Sequence, residues 1–143
     1  LEGYYLIQPD KEQQELCRDI LEFWQTGYGL KYNPDRAQAL KTVKLVTNLA
    51  ECLENIAAEA GEKPKIIVTS AKDGEKAISY EKMREKFTAD GVYLILFGTG
   101  WGLTEEIMCR ADYRLPAIKG VGEYNHLSVR AAAAIVFDRL LGE

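Results

Sequence analysis

Two short runs in this chain, KIIVT (Lys65–Thr69) and VYLILF (Val92–Phe97), are apolar at nearly every position. A strand with one wet face alternates polar and apolar residues. A strand that is apolar throughout has helices over both faces, which is the habit of parallel sheets. The intervening segments agree. A charged stretch from about Ser79 to Ala89 has helical character, and the second run leads through a glycine loop into a helix expected from about Leu103 to Arg110. Asp112–Leu115 reads as a short strand and Ile118–Glu123 as a loop. Asn125 is expected to cap a long final helix to Leu141, stopped by Gly142.

The N-terminal half keeps the same rhythm. Tyr4–Ile7 is β-prone and stopped by Pro9, and Asp10 opens a helix on which Leu16, Ile20, Phe23 and Trp24 recur at helical spacing, predicting one buried face. GYGLKYNPDR (Gly27–Arg36) reads as a loop, with Asn33-Pro34 placed to start a second helix at Asp35. Thr42–Val46 is a further strand, and Asn48 caps a helix through about Ala60 that ends at Gly61. This alternation predicts an α/β fold: an open, mostly parallel sheet flanked by helices, built as one domain over residues 1–143.

At 143 residues, with 47% hydrophobic and 28% charged content, the chain suits one globular core. Its net charge of −4 argues against broad attraction to nucleic acid, although Lys31, Arg36, Lys41 and Lys44 offer local phosphate contacts. A solvated helix face is the default reading of such scattered cations. No apolar run approaches the ~20 residues that span a bilayer and no signal peptide is visible, so a cytoplasmic protein without membrane contact is expected. Cys17, Cys52 and Cys109 lack metal or disulfide spacing and are expected as buried free thiols. The single histidine, His126, makes no metal site alone, and a structural or helix-start role is its default.

Two segments are placed to carry chemistry. FGTGWGLTEE (Phe97–Glu106) lies between the most apolar strand and a helix, where open α/β sheets bind ligands. Gly98, Gly100 and Gly102 free the backbone to approach a ligand; the competing reading is a tight turn under a packed Trp101. The spacing is GxGxG and no GK follows, so neither a dinucleotide fingerprint nor a phosphate loop is present. The second segment, Ile118–Ile135, joins a glycine-bearing loop to a helix whose first turns hold His126, Ser128 and Arg130. Its Ala131–Ala134 run suits close helix packing or plain helix propensity.

In order along the chain, YNPDRAQAL (Tyr32–Leu40), FGTGWGLTEE (Phe97–Glu106) and GVGEYNHLSVRAA (Gly120–Ala132) resemble a bacterial family of S-adenosylmethionine (SAM) dependent RNA methyltransferases of the SPOUT class. The resemblance covers essentially the whole chain. It implies a C-terminal trefoil knot, a homodimer, a SAM cofactor and an RNA substrate, tRNA or rRNA. It also implies that SAM lies bent among three loops: the strand end at Thr69, Ser70 and Ala71; the glycine loop with Phe97, Gly98, Thr99, Gly100, Gly102 and Leu103; and the knot segment with Ile118, Gly120, Asn125, His126, Leu127 and Val129. Arg130 and Asn125 are the implied catalytic candidates, Arg130 for contact with RNA or acceptor, with a plain surface cation as its alternative.

Ribose-methylating relatives carry a Glu between the glycines of the second motif and an Asn inside the third, where this chain has Gly100 or Trp101 and Ser128, so ribose 2′-O transfer is not implied. Relatives usually begin with a further strand and helix bearing a catalytic arginine, a stretch expected before Leu1. A SAM-binding module without catalysis, and an ordinary nucleotide-binding doubly wound domain, are the competing functions.

Overall fold

The computed structural model describes residues 2–72, 74, 77–87, 91–122 and 124–142. The chain divides into two compact units, Leu1–Lys63 and Pro64–Glu143. The strands form two parallel ladders, where strand–helix alternation alone had suggested one open sheet.

In the first unit, β1 (Tyr4–Ile7) runs parallel to β2 (Val43–Val46), with Tyr4 opposite Val43 and Ile7 opposite Val46. Between them lie α1 (Lys11–Gln25), α2 (Tyr28–Tyr32) and α3 (Pro34–Leu40); α4 (Leu49–Ala60) follows and packs on both strands. The helix starts follow from side-chain capping. Asp10 accepts from the Gln13 amide (2.9 Å), Asn33 from Arg36 (3.0 Å) and Asn48 from Glu51 (2.9 Å), each satisfying an amide that the first turn leaves unpaired. The Glu51 carboxylate reaches back to the Thr47 amide at 2.7 Å, and Gly61 ends α4 in the left-handed conformation at φ 78°.

Two expectations for this unit need correction. Leu16, Ile20 and Phe23 do not line a buried face; they are 53%, 48% and 46% exposed. The face of α1 that turns inward carries Gln14, Cys17, Leu21 and Trp24, one position round the helix, or about 100°. Gln14 is buried because both ends of its amide are used: Nε2 donates to the Gln8 carbonyl (2.6 Å) and Oε1 accepts from Arg18 (2.8 Å). The segment Gly27–Arg36, expected as a loop, holds all of α2 and the start of α3. Its glycines serve close packing: a β-carbon on Gly29 would stand 2.7 Å from the Trp24 ring and 2.8 Å from the Phe23 carbonyl.

The second unit is built on β3 (Lys65–Val68), with β4 (Tyr93–Leu96) on one side and β5 (Tyr113–Arg114) on the other, all parallel. Between strands lie α5 (Tyr80–Phe87) and α6 (Glu105–Cys109), and α7 (Val129–Leu141) closes the chain. Ile67, Tyr80, Met83, Leu115, Val136 and Leu140 form the core, with α5 packed on α7. The expected continuation of α5 to Ala89 and the loop end at Glu123 lie outside the described residues. Asp112 ends the approach to β5 by pairing twice with Ile66: its carboxylate accepts from the Ile66 amide at 2.7 Å and its own amide donates to the Ile66 carbonyl at 2.9 Å. The final helix is capped by Ser128, whose Oγ accepts from the Ala131 amide (3.2 Å), and not by Asn125. The alanine run lies on half-buried to exposed turns, and the contacts into the core come from Val136 and Leu140.

The thiols also differ from expectation: Cys52 is buried, Cys17 half-buried and Cys109 exposed on α6. Burial first, and the Glu51 charge second, push the Cys52 thiol up to about 11. A thiol so raised stays protonated, and its contribution to stability is complete below the ordinary thiol range and lost as pH rises through about 11. Alkylation with iodoacetamide at pH 8, followed by mass spectrometry, is therefore expected to modify Cys109 first and Cys52 last, only on unfolding. Ile67→Ala, at a side chain with no solvent exposure, is expected to lower stability by roughly 2–5 kcal/mol in urea denaturation.

Candidate functional site

Parallel pairing puts the carboxyl ends of β4, β3 and β5 on one edge, and the segment that leaves each strand carries residues singled out from the sequence. After β3, Thr69 is anchored to the β4 end: both its amide (3.3 Å) and its Oγ1 (2.9 Å) donate to the Leu96 carbonyl. Ser70 Oγ accepts from the Lys72 amide at 3.1 Å, turning the chain at once, so that Ala71 is exposed.

The glycine loop after β4 is closed at its base. The Gly102 amide donates to the Thr99 carbonyl at 2.7 Å, and these two residues form an isolated antiparallel bridge. A β-carbon on Gly98 would lie 2.7 Å from the Gly102 Cα and the Leu103 amide nitrogen, so only glycine fits there, whereas Gly100 faces open space. Gly102 takes φ 81°, a left-handed backbone that suits glycine. Leu103 is half-buried, and Thr104 caps α6 by accepting from the Ile107 amide at 3.4 Å. That cap shortens the helix expected from Leu103. Phe97 points back into the core against Phe137, the ring centroids 6.0 Å apart. Trp101 is fully exposed, which removes the reading of this loop as a turn beneath a packed tryptophan.

The third segment leaves β5. Ile118 packs against the core and Gly120 is exposed. Asn125 then reaches across: its Nδ2 donates to the Ala71 carbonyl at 2.8 Å, fastening this segment to the turn after β3. His126 is exposed and lies against the Tyr124 ring (centroids 5.7 Å apart), so it is neither buried nor a helix cap. Leu127 is 46% exposed, Val129 half-buried on the first turn of α7, and Arg130 exposed beside it. The structure thus brings Thr69, Ser70, Ala71, the base of the glycine loop, Ile118 and Asn125 to one sheet edge. It sets His126 and Arg130 at the solvent face of the third segment.

Sequence reasoning missed Arg114. Its Nη2 donates to the Lys72 carbonyl at 3.0 Å, and its guanidinium fills the space that a Gly74 β-carbon would need. Among the described residues, its buried Nε has no hydrogen-bond partner. An arginine as the last residue of a strand between two candidate loops was the available signal. Trp101, Val121, Tyr124 and Leu127 are large apolar side chains left exposed on these loops. Among the described residues, no group of three metal-ligating side chains occurs and no helix is long and apolar enough to cross a membrane.

Comparison with known proteins shows the family. A family described as SAM-dependent RNA methyltransferase matches residues 1–142. The tRNA (guanine-N(1)-)-methyltransferase of Oleidesulfovibrio alaskensis is 40% identical over 143 residues, covering 100% of this chain and 33% of that protein. The protein of the same name from Nitratidesulfovibrio vulgaris is 41% identical over 145 residues, with the same coverage of 100% and 33%. An uncharacterized protein of Aquifex aeolicus is 37% identical over 138 residues, 96% of this chain and 67% of its own. The chain thus spans a third of the length of the two named relatives. Among solved structures, a probable methylase family protein from Haemophilus influenzae Rd KW20 superposes with a TM-score of 0.59 at 23% identity, over 80% of this chain and 47% of that one; the likeness is one of fold.

The Asn125 bond fastens the third segment to the turn after β3. Asn125→Ala is expected to raise hydrogen exchange at the amides of residues 70–72 about fivefold, corresponding to roughly 1 kcal/mol for one hydrogen bond, with exchange in β3 unchanged.

Proposed function

This chain belongs to the family of SAM-dependent RNA methyltransferases, and we propose that it binds SAM at the carboxyl edge of the β4-β3-β5 sheet and serves methyl transfer to a nucleotide of structured RNA. The observation that carries this reading is the convergence of the three loops, tied together by Thr69 on Leu96 and Asn125 on Ala71. The named relatives act on tRNA, which makes tRNA the first substrate class to test and rRNA the second. In this reading the protein works in the cytoplasm as a homodimer of SPOUT class, and residues 1–143 form one methyltransferase domain. In the same reading the C-terminal segment is threaded as a trefoil knot.

The residues present fit such a cofactor. Adenine is an apolar plate with a polar edge, and it asks for main-chain donors and acceptors flanked by aliphatic side chains. The loop backbones at Thr69, Ser70 and Ala71 and from Gly98 to Leu103 offer the first, and Ile118, Leu127 and Val129 the second. At Gly100 and Gly102 a β-carbon would face open space, so the main chain there is left uncovered by the loop itself. Bound SAM supplies an electrophilic methyl group on a sulfonium. The chain's own residues hold the reactants in line, which is the larger part of what such transfer needs. Arg130, exposed at the start of α7, meets the RNA or the acceptor, and Asn125 acts by keeping the third segment in place. In this reading His126, beside the Tyr124 ring, lies at the solvent side of the cofactor.

Calorimetric titration of this chain with SAM and with S-adenosylhomocysteine is expected to give micromolar binding with one site per chain. Gly98→Val is expected to weaken it at least tenfold, because the new side chain collides with the Gly102 backbone, while thermal unfolding still reports a folded chain. In the full-length protein, Arg130→Ala is expected to lower transfer of labelled methyl to host tRNA at least tenfold with SAM affinity unchanged. Tight SAM binding without transfer to any RNA would replace the enzyme by a binding module, and preference for ATP or NAD over SAM would overturn both.

A further inference from the structure

The first unit carries an aromatic cluster that the SAM pocket does not use. Tyr28 and Tyr32, one turn apart on α2, are 68% and 71% exposed and stack with ring centroids 6.3 Å apart at 25°. Trp24 lies beside Tyr32 at 6.5 Å, and the Arg36 guanidinium sits over the Trp24 ring at 4.7 Å. The arrangement is constructed. Gly29 lies against Trp24 with no room for a β-carbon, which lets a five-residue helix dock on α1 and turn both tyrosines outward. Exposed tyrosines gain nothing from burial, and their presence side by side calls for a ligand with flat faces.

Charge narrows the class of ligand. Residues 26–47 hold Lys31, Arg36, Lys41 and Lys44 against one carboxylate, Asp35, in a chain whose net charge is −4. Lys44 is committed to Glu59 at 2.6 Å, which leaves Arg36 over the Trp24 ring and Lys31 on the same short helix as the tyrosines. Stacked aromatic rings interleaved with cations are the surface on which unpaired nucleotides bind, bases on the rings and phosphates on the cations. A second protein copy would favour a patch whose core is depleted of lysine.

We propose that the Tyr28–Tyr32 stack with Lys31 and Arg36 is a docking platform for unpaired nucleotides of the RNA substrate. The choice of RNA rests on the methyltransferase reading, but the platform's residues all lie outside the SAM pocket, so the two readings fail separately. Binding of a labelled uridine oligonucleotide of about 12 nucleotides is followed by fluorescence anisotropy at low salt, with SAM calorimetry run on the same samples. Tyr28→Ala/Tyr32→Ala is expected to weaken RNA binding about tenfold or more, since each ring supports one base, with SAM affinity and circular dichroism unchanged. Tyr28→Phe/Tyr32→Phe, which keeps the rings, is expected to bind like wild type, and Lys31→Ala to reduce the salt dependence. Retained RNA binding in the alanine variant, or no RNA binding by the wild-type chain, would overturn the proposal. So would loss of self-association in sedimentation without loss of RNA affinity, which would make the face an interface between copies. Loss of SAM binding with the RNA result intact would sink the pocket and leave the platform standing.

Discussion

The second unit depends on the hydrogen bonding of β3. Ile67 and Val68 have no solvent exposure, so their main-chain groups must find partners inside the protein. The strand pairs with β4 along its whole length, with β5 over its last two residues, and with Asp112 where β5 has not yet begun. The Asp112 carboxylate takes the Ile66 amide, so a two-residue edge strand completes a ladder that needs three. This pairing sets the height at which each chain leaves the sheet. Thr69, Phe97 and Leu115 consequently emerge at one level, and the three candidate loops share an edge.

Much of the fold was legible in the sequence because its signals are local. Asp10, Asn33 and Asn48 cap the helices expected of them, since a cap needs only a short polar side chain and the next turn of backbone. The apolar run at Lys65 is the central strand β3, and the run at Val92 is its parallel neighbour β4 at one edge of the ladder. Long-range choices were less visible. The spacing of Leu16, Ile20 and Phe23 marks a stripe on α1, but a neighbouring stripe through Gln14, Cys17, Leu21 and Trp24 has the same period, and which one faces the sheet is decided by packing. The α2 turn was hidden because glycine usually marks a loop, whereas Gly29 is there to let a helix approach Trp24.

The candidate site divides along the same line. The glycine loop was readable from its position after an apolar strand. The role of Asn125 was not: residue type and place suggested a helix cap, yet its side chain crosses to a carbonyl 54 positions earlier and Ser128 takes over the cap. No local rule reports a bond of that sequence separation. Arg114 escaped for a similar reason. Its value comes from Lys72 and Gly74, which only the β3–β5 pairing brings near.

The Gly98–Gly102 contact bears on how a ligand would be received. A loop of five residues closed at its base by backbone against backbone, and by a hydrogen bond of 2.7 Å between Gly102 and Thr99, has its conformational entropy largely spent during folding. Association at this edge then bears little ordering cost from that loop. For the proposed cofactor, selectivity at this loop is accordingly a matter of fit to an already formed surface, bounded by shape before any side chain responds.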